Sequence, residues 1–378
     1  MGEGKQITIE PGARRGSVAA PRSKSHEHRL LIADFLAGDY SRLAPAEGDA
    51  DDIQATKRCL LALAGDDTAP FLDCGESGST RRFLAPIAAA LGKKPVFKTA
   101  GRLADRPQMD YDDLQPGEFK LAGDVSSQFV TGLLFALPLL KGDSFIRFTS
   151  PLESKGYVEM TRRVLVGAGI YVGVRDDGYD IPGGQAYHAQ PDAKVEGDWS
   201  GAAFWFAMNA LGSDIEVTGL DAKSVQPDRV VQDLLQRIST AWSGERVFVD
   251  VSECPDLFPA LSVVAAASPG ETLFTGTRRL RLKESDRTAA MEDVLKRFGA
   301  EVERRENEFS VRGAEGPFRG GEIETGGDHR IAMAAAVGAT HAEEAVTIDD
   351  AACAAKSYPA FFADFGRLGR MRADGVAV

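Results

Sequence analysis

The sequence predicts an α/β protein of two domains, each built from three related units with apolar helices inside and short sheets outside. Three observations carry this reading. A polar cap rich in Ser, Gly or Asp, followed by a nearly all-apolar helix, recurs six times. Short strands and amphipathic second helices follow these segments in a repeating order. The chain of 378 residues is long enough for two domains with substantial cores.

The copies follow one another along the chain. The first runs from Ser25-His-Glu-His-Arg into Leu30–Leu36 and Gly38. The second runs from Glu76-Ser-Gly-Ser-Thr-Arg-Arg into Phe83–Leu91, Gly92 and a strand at Pro95–Lys98. The third joins Gly123-Asp-Val-Ser-Ser-Gln to Phe129–Leu140, Gly142 and a strand at Ser144–Thr149. The fourth joins Gly197-Asp-Trp-Ser-Gly to Ala202–Leu211, Gly212 and Asp214–Thr218. The fifth passes from Pro255-Asp into Leu257–Ala267, Gly270 and Glu271–Thr275. The sixth passes from Gly327-Asp-His-Arg into Ile331–Thr340 and a strand at Ala345–Ile348. Helices apolar on every side belong in a core. The segments Val158–Val166, Asp228–Ile238 and Ser285–Phe298 are amphipathic and face outward.

A net charge of −12 argues against a general nucleic-acid surface. It leaves room for a local cationic site. A helix start presents free N–H groups and a partial positive charge, and Ser and Gly let an anion approach. Several of these starts also carry cations: Lys24 and Arg29, Arg81 and Arg82, and Arg330. The N-terminus has no apolar targeting run, and no apolar stretch is long enough to span a bilayer. Cys59, Cys74, Cys254 and Cys353 form no CxxC pair, which fits reduced thiols in a cytoplasmic protein. His26 and His28 are two apart, wrong for a helical metal pair, and His188 and His341 read as surface residues. Metal binding is not expected.

Several motifs read as chemistry. Lys24, Ser25 and Arg29 place two cations and a hydroxyl near one helix start, suited to phosphate or carboxylate oxygens. Ser126, Ser127 and Gln128 follow a Gly turn and suit a phosphate or a polyol ring. Leu282-Lys-Glu-Ser-Asp-Arg287 packs two cations and two carboxylates at a helix entry. It is either an acid–base pair, if desolvated, or a solvated charge run. Asp256 sits against an apolar helix, where burial is expected to raise its pKa and make it a base, or where it simply caps the helix. Arg106, Arg330 and Lys356 add further cations.

In this order and over nearly the whole chain, these motifs resemble the EPSP synthase (3-phosphoshikimate 1-carboxyvinyltransferase) family of enolpyruvyl transferases. The resemblance rests on SKSxxxR, the SGSTxR stretch, RP, SSQF, SKGY, VEGD, PDLFP, KESDR, DHRIAM and AKSYP. It implies an inside-out α/β barrel of six βαβαββ units in two hinged domains. One spans Pro21–Ala193; the other comprises Met1–Ala20 and Lys194–Val378. It implies transfer of the enolpyruvyl group of phosphoenolpyruvate to the 5-hydroxyl of shikimate 3-phosphate, with no metal or organic cofactor, in a cytoplasmic monomer. Lys24, Ser25, Arg29, Ser126, Ser127, Gln128, Ser154, Tyr157, Asp256 and Lys283 are then implied for shikimate 3-phosphate. Lys24, Gly78, Arg106, Gln128, Arg287, Arg330 and Lys356 are implied for phosphoenolpyruvate. Asp256, Glu284 and Lys24 take the catalytic roles. Glu76 and Arg279 stand where the family often has Asn. The chain is also short for the family, and its missing length is expected in two places, between Leu60–Leu63 and Asp73 and between Ile238 and Asp250, giving trimmed sheets. Two rival readings are a related transferase acting on a UDP-sugar and a silent homologue.

Overall fold

The computed structural model describes residues 5–369 apart from 110 and 315, together with 371–373 and 376–377. The chain forms two compact units. A flanking unit comprises the described residues up to Arg22, Gly197–Ser224, and those from Asp228 onward. An inserted unit comprises Ser23–Glu196 and Val225–Pro227.

The flanking unit opens with β1 (Ile7–Ile9) and β2 (Arg15–Ala19). The inserted unit then contributes α1 (Lys24–Leu36), α2 (Asp51–Ala64), β3 (Phe71–Gly75), α3 (Gly78–Ala90), β4 (Val96–Thr99), β5 (Glu118–Ala122), α4 (Ser127–Ala136), β6 (Ser144–Ser150), α5 (Lys155–Gly167), β7 (Gly173–Arg175) and β8 (Gly178–Ile181). The flanking unit resumes with α6 (Trp199–Ala210), β9 (Asp214–Thr218), α7 (Val231–Ser239), β10 (Arg246–Asp250), α8 (Phe258–Ala267), β11 (Glu271–Thr275), α9 (Arg287–Phe298), β12 (Glu301–Arg304) and β13 (Glu308–Arg312). It ends with β14 (Gly321–Ile323), α10 (His329–Ala339), β15 (Val346–Ile348), α11 (Phe361–Arg367), β16 (Met371–Ala373) and β17 (Val376–Ala377).

Composition explains which helices are central. In the flanking unit α6, α8 and α10 pack on one another, and every residue of α10 is buried. In the inserted unit α3 packs on α4, and α1 packs on α2 and α5. The amphipathic helices bury one stripe only: α5 turns Val158, Met160, Thr161, Val164 and Leu165 inward and exposes Val166. The expected helix Phe129–Leu140 gives way to a 3₁₀ turn, Leu137–Leu139, at Pro138, whose missing N–H cannot continue the ladder. His341 is half-buried, not a surface residue; its ring meets the Phe318 ring edge-on at 5.2 Å, and burial lowers its pKa.

Complete βαβαββ units appear at β5–β8 and β10–β13, each a four-stranded sheet with one parallel and two antiparallel pairings. Sheets β2–β9 and β3–β4 have two parallel strands each. After α7 the chain passes straight to β10, and after α2 straight to β3, with no hairpin at either place. A third shortening escaped the sequence reading. β4 leads through a 3₁₀ turn, Gly101–Asp105, and a loop to β5, without a second helix or hairpin among the described residues. The first repeat, α1 with α2, likewise has no strand of its own among them. The remaining sheet has the order β14-β15-β1-β16-β17, so the N-terminal strand completes it.

Close approach of α3 and α4 depends on Gly132. A Cβ there would lie 2.5 Å from the Arg82 carbonyl oxygen and 2.9 Å from Pro86 Cγ. Gly132→Ala is expected to cost about 1–3 kcal/mol of stability through overpacking. Chemical denaturation checks this; an unchanged midpoint would show that the helices part without cost.

Candidate functional site

Five of the six central helices begin at a side-chain cap. Ser23, Ser77, Ser126, Asp198 and Asp328 accept backbone N–H bonds at the starts of α1, α3, α4, α6 and α10. α8 is different. It follows a 3₁₀ turn, Pro255–Leu257, and no side chain caps it. Asp256 is therefore not a cap, and its carboxylate is directed to cations.

In the inserted unit, Lys24 is the first residue of α1 and its Nζ lies 2.7 Å from Asp52 Oδ2 on α2. Ser25 is half-buried on the same turn. Arg29, only 3% exposed, lies one turn further. Its Nε donates to Thr161 Oγ1 at 2.8 Å, and its other N–H groups reach the Ser25 and Tyr157 carbonyls and Thr131 Oγ1. The Phe83 ring lies 5.3 Å from its guanidinium carbon. Burial lowers its pKa to about 10.

Gly78, Arg82 and Arg106 come together at the start of α3. A Cβ on Gly78 would meet Arg82 Nη1 at 3.1 Å and Arg106 Nη1 at 3.3 Å. Gln128, early in α4, is held from both sides: its Oε1 accepts from Arg82 Nη1 at 2.5 Å and its Nε2 donates to Ser79 Oγ at 3.0 Å. Ser126 and Ser127 precede it. Ser154, before α5, is the one non-glycine residue among those described with positive φ (58°). Such backbone strain concentrates at functional sites. Tyr157 follows on the first turn of α5. Glu76 is exposed, and its carboxylate occupies the space a side chain on Gly101 would need.

In the flanking unit the KESDR run is not a solvated face. Arg287, 1% exposed, donates from Nη1 to Asp256 Oδ1, from Nη2 to Glu284 Oε2 and from Nε to Asp328 Oδ2, each at 2.9 Å. Asp256 also lies 3.3 Å from Lys283 Nζ and 3.1 Å from Arg330 Nη2. Arg330 Nη1 donates to the Asp256 carbonyl as well. Lys356 is buried at the end of a 3₁₀ turn, Ala352–Lys356, that packs on α10. Arg279 donates to the Ser252 carbonyl at 2.6 Å.

The electrostatics correct one expectation. Burial does push the Asp256 carboxyl up, but Arg330, Lys283 and Arg287 outweigh it and hold the group well below the usual carboxylate range. Burial also lowers the Lys283 ammonium, more than Asp256 raises it. Burial would lower Arg287 too, but Asp328, Glu284 and Asp256 together raise it.

Some partners were missed from sequence. Asp52 and Thr131 were not singled out from sequence, and Asp328 was read only as part of the Gly327-Asp-His-Arg helix start. Thr131 was signalled only by being polar in an apolar helix, and Asp52, within a polar run, by nothing. Among the described residues no group of three or more His, Cys, Asp or Glu is arranged to hold a metal ion, and no helix is long and apolar enough to cross a membrane.

Two α/β units of repeated architecture, each with cations gathered at helix starts, define a protein class built to hold small multivalent anions. The sequence pattern of EPSP synthase (3-phosphoshikimate 1-carboxyvinyltransferase) matches residues 106–365. A 3-phosphoshikimate 1-carboxyvinyltransferase of Clostridium kluyveri is 38% identical over 97% of both chains, and that of Clostridium acetobutylicum is 37% identical over 96% of this chain and 97% of its own. The chain belongs to the EPSP synthase family. The first alignment runs over 418 positions against 378 residues here, in keeping with the trimmed units. The fold is similar to that of EPSP synthase from Acinetobacter baumannii (TM-score 0.75, 24% identity, 98% of this chain and 100% of that one). It is also similar to the enolpyruvyl transferase NikO from Streptomyces tendae (TM-score 0.68, 15% identity, 99% of this chain and 100% of that one).

Proposed function

We propose that this chain transfers the enolpyruvyl group of phosphoenolpyruvate to the 5-hydroxyl of shikimate 3-phosphate and releases phosphate. The observation that carries this reading is the cluster of half-buried Asp256 and Glu284 held by Lys283 and the buried Arg287 and Arg330. It offers two carboxylates for two proton transfers and three cations that anionic substrate groups can share with them.

The two units stand for the family's two domains. Lys24, Ser25, Arg29, Ser126, Ser127, Gln128, Ser154 and Tyr157 take shikimate 3-phosphate, with Lys283 and Asp256. Gly78, Arg106, Gln128, Arg287, Arg330, Lys356 and Lys24 take phosphoenolpyruvate, and the missing Cβ of Gly78 leaves Arg106 within reach. The 5-hydroxyl oxygen attacks C2 while Asp256 accepts its proton, and Glu284 delivers a proton to C3. In the tetrahedral intermediate the bond from C2 to the phosphate oxygen then breaks, and the C3 proton returns to Glu284. Cations stabilise the leaving phosphate.

A carboxylate held by three cations is a weak base. Anionic substrate groups arriving at Arg287 and Arg330 share those cations and raise the basicity of Asp256 when it is needed. The chemistry requires no metal or organic cofactor, and we place the protein in the cytoplasm as a monomer without nucleic-acid or membrane partners. Its test is the acceptor: phosphate is expected from phosphoenolpyruvate with shikimate 3-phosphate and not with a UDP-sugar. The reverse result would assign the chain to the other acceptor class.

A further inference from the structure

Arg29 and Arg287 solve the same problem in opposite ways. A buried charge is costly unless it is paired. Arg287 meets three carboxylates. Among the described residues the acceptors of Arg29 are neutral: Thr161 Oγ1, Thr131 Oγ1 and the carbonyls of Ser25 and Tyr157. These use four of the five guanidinium N–H groups and supply no counter-charge.

The two threonines are placed for this. Thr131 lies four residues after Ser127 on α4, and Thr161 lies four after Tyr157 on α5, so each sits one turn below a residue assigned to shikimate 3-phosphate. Their oxygens are 2.9 Å apart. Thr161 Oγ1 donates to the Tyr157 carbonyl at 3.1 Å, so its lone pairs face Arg29 and Thr131. Thr131 then donates to Thr161, and both hydroxyls keep a lone pair for the guanidinium. On the same helix faces Leu134 and Phe135 of α4 and Val158 and Leu165 of α5 are buried and apolar.

We propose that Thr131 and Thr161 are positioning residues for Arg29, a neutral hydroxyl clamp that fixes the guanidinium and leaves its charge to be matched by an anionic ligand. The ligand is shikimate 3-phosphate, so the inference rests on the reading of the site given above. A carboxylate at either threonine would neutralise Arg29 from within. A valine would leave one Arg29 N–H without its acceptor and hold the guanidinium less firmly.

Calorimetric titration of the full chain with shikimate 3-phosphate tests this, with KM values for both substrates alongside. Thr161→Val is expected to weaken shikimate 3-phosphate binding about tenfold or more, the range for losing a hydrogen bond to a charged group. The KM for phosphoenolpyruvate should change much less, and Thr161→Ser should bind within about threefold of wild type because it keeps the hydroxyl. Wild-type affinity in Thr161→Val, or a loss in Thr161→Ser as large as in Thr161→Val, would overturn the clamp. Should Thr161→Val not fold, Thr131→Val decides by the same criterion. Absence of binding by the wild type would overturn the reading of the site itself, and a wild type that binds separates the two failures.

Discussion

Asp256→Asn is expected to lower turnover between about a hundredfold and ten-thousandfold, the range for removing a general base, while substrate affinities change little. Asn keeps the volume and an acceptor oxygen but cannot take a proton. The three cations around the position lose a negative partner. Their pull on anionic substrates therefore rises if it changes at all, so KM for phosphoenolpyruvate should stay level or fall. Steady-state kinetics with both substrates checks this. Equal losses in turnover and in affinity would reject Asp256 as the base. The sign of its pKa shift adds a second expectation. A carboxyl held well below 3.8 stays ionised throughout the neutral range, so kcat/KM of the wild type should show no acid limb from Asp256 down to about pH 4.

Arg287→Leu is expected to cost about 3–5 kcal/mol of stability, the penalty for breaking a buried ion pair from one side. The residue left stranded is Asp328. It is 0% exposed and, among the described residues, retains the Ser285 hydroxyl, a backbone N–H bond and the neighbouring His329 ring, 3.6 Å away. Asp256, by contrast, keeps Lys283 and Arg330. Burial pushes the Asp328 carboxyl up, yet Arg287 brings it below its usual value of 3.8. Stability from that group is thus complete above pH 3.8 and lost as pH falls through the lower folded value. In the variant the cation is gone and burial dominates, so Asp328 protonates more readily. The gap between wild type and variant should narrow as pH drops from 7 towards 4, and Asp328→Asn in the variant should recover part of the loss. Urea midpoints at the two pH values check this; a gap independent of pH would exclude Asp328 as the cause.

Much of the fold could be read from periodicity, because helices apolar on all sides have one place to go. α6, α8 and α10 are where the repeats put them. The two shortenings after α2 and α7 were legible as missing hairpins. The third, between Arg106 and Glu118, was not: the segment has neither helical nor strand periodicity, so the loss of a helix and hairpin there leaves no pattern to interrupt. At the site, residue types were legible and pairings were not. Asp256 looked like a buried acid because its neighbours in sequence are apolar. Its neighbours in space are Lys283, Arg287 and Arg330, from 27 to 74 positions away, and they reverse the direction of its shift. Thr131 and Thr161 are thirty positions apart and meet only through the packing of α4 against α5.

The central claim is that one chain carries the whole reaction. Purified, folded protein should release phosphate from phosphoenolpyruvate when shikimate 3-phosphate is added, in equal amount to the enolpyruvyl ether formed, and release none with either substrate alone. No release with both substrates present, from protein shown to be folded, would contradict the account.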